Sequence, residues 1–251
     1  MSLLAVSLID YPASKAALTE RIYASLERLK SLRGNTAGER AEDRLALRVW
    51  QAARLARTHG DLLESARYGE AAAFFLSDLY GPKDYRRRDE EVARIVPTLA
   101  TLLPVGAVQS LAMAIELDAL SESLDAGVTQ RLRAKQPDAA KPLAIDEASY
   151  AEAYRGASRE EREHQIELVD TIGKVLDSVA HKPFITTAME FARMPARLAG
   201  LGEMHDFLAR GLAAFRRMDG ADPFLETIRR RESDIMRQIF AGAANPFAVS
   251  G

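Results

Sequence analysis

"RYGEAAAFFLSDLYGPKDYRRRDEE", residues 67–91, sets the fold question, because apolar periodicity, an aromatic pair, a stop signal and a run of charge succeed one another within it. Tyr68, Ala71, Ala72, Phe75, Leu76 and Leu79 fall at i, i+3, i+4, i+7, i+8 and i+11, the spacing of a single helix face. Phe74 and Asp78, four apart, lie side by side on a different face. A helix that is apolar on more than one side has to sit between neighbours, so this one is expected to be central. Its two phenylalanines are then core, not a cofactor box. Tyr80-Gly81-Pro82 supplies the stop: glycine takes the left-handed position and proline forbids continuation.

Outward from this stretch the same period recurs. Leu18, Ile22, Leu26, Leu29 and Leu32 make a stripe on a helix predicted over 13–33, closed by Gly34. A second helix is predicted over 39–59, with Ala46, Val49, Trp50, Ala53 and Ala56 inward. A fourth begins near Tyr85 and meets Pro97 and Pro104, which must kink or divide it; a long helix then runs from Pro104 to about Leu124. Pro137 and Pro142 sit in "RAKQPDAAKPLAIDEA", the best linker candidate, and Asp146 is placed to N-cap the next helix. "SREE" at 158–161 is a capping box opening a helix that presents Ile166, Val169, Ile172 and Leu176. Helices over 183–199, 203–219 and 222–240 complete the chain. The expectation is an all-α, multi-helix bundle of about eight to ten helices in two packed lobes: 1–133, a linker at 134–145, and 146–251.

Composition narrows function by exclusion. A chain of 251 residues buries a full core without a staple. Lys+Arg 34 against Asp+Glu 36 leaves a formal net charge of −2, so neither nucleic acid nor an anionic membrane is expected as the main partner. With no cysteine there is no disulfide, thiolate catalysis, Cys-ligated zinc or iron–sulfur cluster. The start "MSLLAVSLIDYPASK" lacks a basic region before its apolar run, which Asp10 interrupts; it reads as mature protein, and a cytoplasmic setting is expected.

"FFLSDLYGPKDYRRRD", together with "KPFITTAMEFARMPARLAGLGEMHDFLARGLAAF", resembles the uncharacterised bacterial proteins named for an FFLEELY motif. The resemblance covers most of the chain and implies a shared fold. It brings no activity, cofactor or catalytic residue with it. Ser77 and Asp78 stand here in place of two glutamates, which argues against any mechanism needing a carboxylate pair at that point.

Few constellations carry chemistry. A carboxylate-bridged di-metal bundle needs Glu-x-x-His on two helices and a Glu from each of two more. Glu161 and His164 make a single such match, among Glu160, Arg162, Glu163 and Gln165, the profile of a solvated first turn whose acids complement the helix dipole. His59 and His181 fall at predicted helix C-termini, where an imidazolium is favoured; His181 could serve as an axial ligand only beside a haem cavity. His205 lies just off the stripe formed by Met204, Phe207, Leu208, Gly211, Leu212 and Phe215, a position for core hydrogen bonding. No nucleophile elbow, Walker loop or dinucleotide fingerprint occurs. Arg86, Arg87 and Arg88 oppose the dipole of the helix they open, so something else selects them. Internal pairing with nearby acids is one reading. The other is an interaction patch formed by Lys83, Asp84, Arg86, Arg87, Arg88 and Asp89. Arg229-Arg230-Arg231, opposite Phe224, Ile228 and Ile235, poses the same choice.

The sequence thus favours a non-catalytic interaction protein without a cofactor, partnered by itself or by an acidic protein. The alternative is a helical-bundle enzyme or sensor holding a metal, haem or apolar ligand between helices, through Glu161, His164, His181 or His205.

Overall fold

The computed structural model describes residues 14–34, 40–79, 86–102, 105–138 and 140–248. Among them are eleven α-helices and no strand: α1 (Lys15–Gly34), α2 (Ala41–Thr58), α3 (Gly60–Glu64), α4 (Gly69–Phe74), α5 (Arg86–Leu102), α6 (Val105–Lys135), α7 (Glu147–Arg155), α8 (Arg159–Ala180), α9 (Pro183–Leu198), α10 (Gly202–Met218) and α11 (Asp222–Phe240). The all-helical fold is as expected and the count is slightly higher. The extra element arises ahead of the aromatic pair, where Ser65 Oγ accepts from the amides of Arg67 and Tyr68 at 3.2 Å each and sets a turn between α3 and α4. Phe75–Leu79 continues α4 as a π-helical turn. The Tyr80-Gly81-Pro82 stop lies outside the described residues.

The aromatic pair sits where its two-sided apolarity places it. Phe74 and Phe75 are both buried. The Phe75 ring centroid lies 6.1 Å from that of Phe215 and 5.7 Å from that of Phe224, while Phe74 lies 5.4 Å from Phe207. Two adjacent faces of α4 and its π-helical continuation therefore meet α10 and α11. Gly211 makes the approach possible, since a Cβ there would lie 2.9 Å from Phe74 Cζ. Arg67 fastens the same corner by donating to the carbonyls of Met218 at 2.6 Å, Asp219 at 2.7 Å and Gly220 at 3.1 Å, the acceptors left open where α10 ends.

On α1, Leu18, Ile22, Leu26 and Leu29 are buried as their spacing requires, against Val92 and Val96 of α5 and Val108, Ala112 and Ile115 of α6. α5 continues through Pro97 as a helix. Between α6 and α7, residues 136–138 and 140–146 are non-helical, and Arg133 Nη1 donates to the carbonyls of Gln136, Asp138 and Lys141 at 3.2–3.4 Å. Asp146 and Ser149 form a reciprocal capping box at the start of α7, and Ser158 accepts from the Glu161 amide at the start of α8.

α2 departs from expectation in part: Ala46 and Trp50 pack against the core as expected, Trp50 with its ring centroid 4.2 Å from that of Tyr150, but other positions do not. Its predicted inward residue Val49 is 51% exposed, and the buried positions are Asp43, Leu47, Arg54, Leu55 and Thr58. The helix is rotated so that a polar stripe faces the interior. The reason lies in what α6 offers it.

Candidate functional site

Arg44, Arg48, Gln51 and Arg54 recur along one side of α2, and Asp118, Glu122 and Asp125 recur with matching spacing along α6. The two rows interlock. Glu122 is buried and accepts from Arg33 at 3.1 Å, from Arg44 at 3.3 Å and from Arg48. Burial alone would push its carboxyl up, but the guanidiniums of Arg48, Arg33 and Arg44 outweigh burial and hold it below the ordinary range. Arg33 also reaches Asp118 at 2.9 Å, tying α1 into the seam.

One turn further, Gln51 Nε2 donates to Asp125 Oδ1 at 2.9 Å and lies 3.4 Å from the Tyr150 hydroxyl. Burial pushes the Asp125 carboxyl up. Arg54 then closes on Glu232 of α11 with 2.6 Å and 2.7 Å bonds, and His59 Nε2 lies 3.0 Å from the same carboxylate. Burial would raise Glu232 too, yet Arg54 and His59 override it and hold it at about 2. Across the seam Arg162, only 3% exposed, stacks over the Tyr154 ring at 4.0 Å and donates to Gln165 Oε1 at 3.1 Å.

Such an arrangement clamps helices. Glu122 and Glu232 are neutralised by arginines, while Asp125 is held by the uncharged Gln51. The sequence reading missed it because it counted arginines outward. The signal that could have found it was the matching i, i+4, i+7 spacing of Arg44, Arg48 and Gln51 on one helix and Asp118, Glu122 and Asp125 on another.

The predicted site residues are scattered. Glu161 is exposed at the start of α8, while His164 Nε2 lies 3.0 Å from Glu116 Oε1, a carboxylate that Arg21 already grips at 2.8 Å and 2.9 Å. Glu161 and His164 therefore do not converge. Among the described residues no three His, Asp or Glu side chains form a metal-capable group. His181 Nδ1 bonds the Asp177 carbonyl at 2.8 Å at the end of α8. His205 is buried and its Nε2 bonds the Met189 carbonyl at 2.8 Å, joining α10 to α9. His59 is the C-cap of α2, as its position predicts, and its side chain is in addition a buried partner of Glu232. Lys83 and Asp84 lie outside the described residues, as do the side chains of Arg86, Arg87, Arg88 and Asp89 in the first turn of α5. In the second basic cluster Arg229 pairs with Glu226 at 2.7 Å and Arg231 with Asp61 at 2.6 Å. Arg230 and Arg231 line a cleft of about 310 Å³ along α11.

The surface carries one feature the sequence reading did not single out. α9 buries none of its residues. Ile185, Met189 and Ala196 half-bury against the body, and on the opposite side Phe184, Phe191, Met194 and Leu198 are 63%, 79%, 63% and 84% exposed.

A family model described as a domain of unknown function (DUF8198) matches residues 32–246. The chain belongs to that family. The DUF8198 match takes in α2 through α11, and with them the whole polar seam from Arg33 to Glu232 and all of α9. No curated protein and no solved structure matches the chain significantly. No helix among the described residues is long and apolar enough to cross a membrane.

Proposed function

We propose that the protein is a non-catalytic protein-interaction module that works through the exposed apolar face of α9. The observation that carries this reading is the exposure of Phe191 and Leu198, at 79% and 84%, on a helix that is held to the body by its other side. Large apolar side chains gathered on one face mark contact surfaces. The interior polar residues support the same reading, because they are engaged in holding helices together.

The patch of Lys83, Asp84, Arg86, Arg87, Arg88 and Asp89 belongs to this proposal as a second contact point, suited to an acidic partner through guanidinium–carboxylate pairing. The bacterial, FFLEELY-type affiliation, the cytoplasmic setting and the division into two lobes at 134–145 stand with it.

The test is the double variant Phe191→Asp/Leu198→Asp. A free docking face predicts an unchanged melting temperature, because no buried contact is lost. A fall of the size produced by emptying a core site would mean that the stripe is covered within the chain, and the reading would fail.

A further inference from the structure

Resting on the reading that α9 is a docking face, we propose that its occupant is a second copy of this chain, packed antiparallel, α9 against α9. Phe184, Phe191 and Leu198 stand seven residues apart, and Thr187 and Met194 fill the intervening positions three residues on. That is the two-position repeat of a knobs-into-holes seam, here confined to one helix and facing solvent.

The rims of the stripe determine direction and partner. Glu190 and Arg197 flank it on one side; Ala188 and Pro195 flank it on the other, where small side chains let a second helix come close. In an antiparallel pair the register that sets Phe191 opposite the copy's Met194 also sets Thr187 opposite the copy's Leu198. The same register brings each Glu190 within a turn of the opposite Arg197. A parallel pair would instead set the Glu190 and Arg197 rim against the copy's Ala188 and Pro195 rim, leaving neither charge an opposite partner. Glu190 and Arg193 have no ion-pair partner among the described residues, and Arg197 has only a 3.8 Å contact with Asp206 to give up. The stripe is thus complementary to itself in shape and in charge when reversed. A helix of 16 residues offers a seam about 24 Å long, which places the contact among small, reversible interfaces.

The chain contains no cysteine, so a single introduced thiol reports only intermolecular contacts. Thiol variants Thr187→Cys and Leu198→Cys of the full chain are mixed and oxidised. The proposal predicts a disulfide between the two variants in preference to either with itself; self-linked products alone would overturn the antiparallel pairing. Sedimentation equilibrium of the wild type should show a monomer–dimer equilibrium, weakened about a hundredfold by Phe191→Asp. Glu190→Arg and Arg197→Glu should each weaken it and the two together restore it. A wild type that is monomeric at every concentration overturns the second copy as occupant. The melting temperature of Phe191→Asp/Leu198→Asp then decides separately whether α9 is free for another protein or covered from within.

Discussion

Gln51 and Asp125 meet across the α2–α6 contact, with Gln51 Nε2 donating to Asp125 Oδ1 at 2.9 Å, where burial holds the carboxyl above its ordinary range. An acid whose folded-state affinity for the proton exceeds its unfolded-state affinity loses stability as pH rises through that interval. The folded chain binds the extra proton at the low end and must release it into a poorly solvated site at the high end. Asp125→Asn keeps the acceptor for Gln51 and removes the charge. It should raise the urea midpoint at neutral pH and flatten the fall in stability that begins above 3.8, the ordinary value of the group. A lower midpoint at neutral pH would show that the carboxylate is needed by Arg162 or Arg44.

Glu232 should behave with the opposite sign. Despite burial, Arg54 and His59 hold its carboxyl at about 2 against an ordinary 4.5, so its contribution is complete above 4.5 and is lost as pH falls toward 2. Glu232→Gln leaves the buried Arg54 guanidinium without its counter-charge. The expected cost is about 3 to 5 kcal/mol at neutral pH, read from denaturant unfolding. A cost below about 1 kcal/mol would mean that the pair is solvated like a surface bridge.

Phe75→Ala empties a site bounded by the rings of Phe215 and Phe224. Emptying a buried aromatic site costs about 3 to 5 kcal/mol, a large part of the stability of an ordinary domain. Thermal melts of Phe75→Ala should show that loss. An unchanged melt would remove the aromatic cluster from the core.

Gly173→Ala tests packing from the other direction. A Cβ at that position would stand 2.4 Å from Leu225 Cδ2, and Leu225 is itself buried, so the side chain has little room to retreat. The substitution should cost about 1 to 3 kcal/mol despite the better helix propensity of alanine. A gain in stability would show that α8 and α11 are less closely packed.

Much of this fold was legible in the sequence, and the exceptions share a cause. Leu18, Ile22, Leu26 and Leu29 were readable because a one-sided apolar stripe has a single way to be buried. Asp146 and Ser158 were readable because capping is decided within a few residues. α2 was misread because Val49 and Ala53 compete with Arg48 and Gln51 for the inward face, and what decides between them is Glu122 and Asp125 on another helix. The face of α9 was hidden for a related reason: Phe184, Phe191 and Leu198 look like core residues until no facing helix is found among the described residues. Contacts made between distant segments were the ones that local spacing did not reveal.

Met194, 63% exposed between Phe191 and Leu198, permits the most direct measurement of the account's main claim, that α9 keeps an apolar face for a partner of the same kind. Hydroxyl-radical footprinting of the wild-type chain at low and high protein concentration reads its accessibility in both states. The account predicts rapid oxidation of Met194 in dilute protein and protection in concentrated protein, with both conditions oxidised alike in Phe191→Asp. Rapid oxidation of Met194 in wild-type protein that is the same at both concentrations would contradict it.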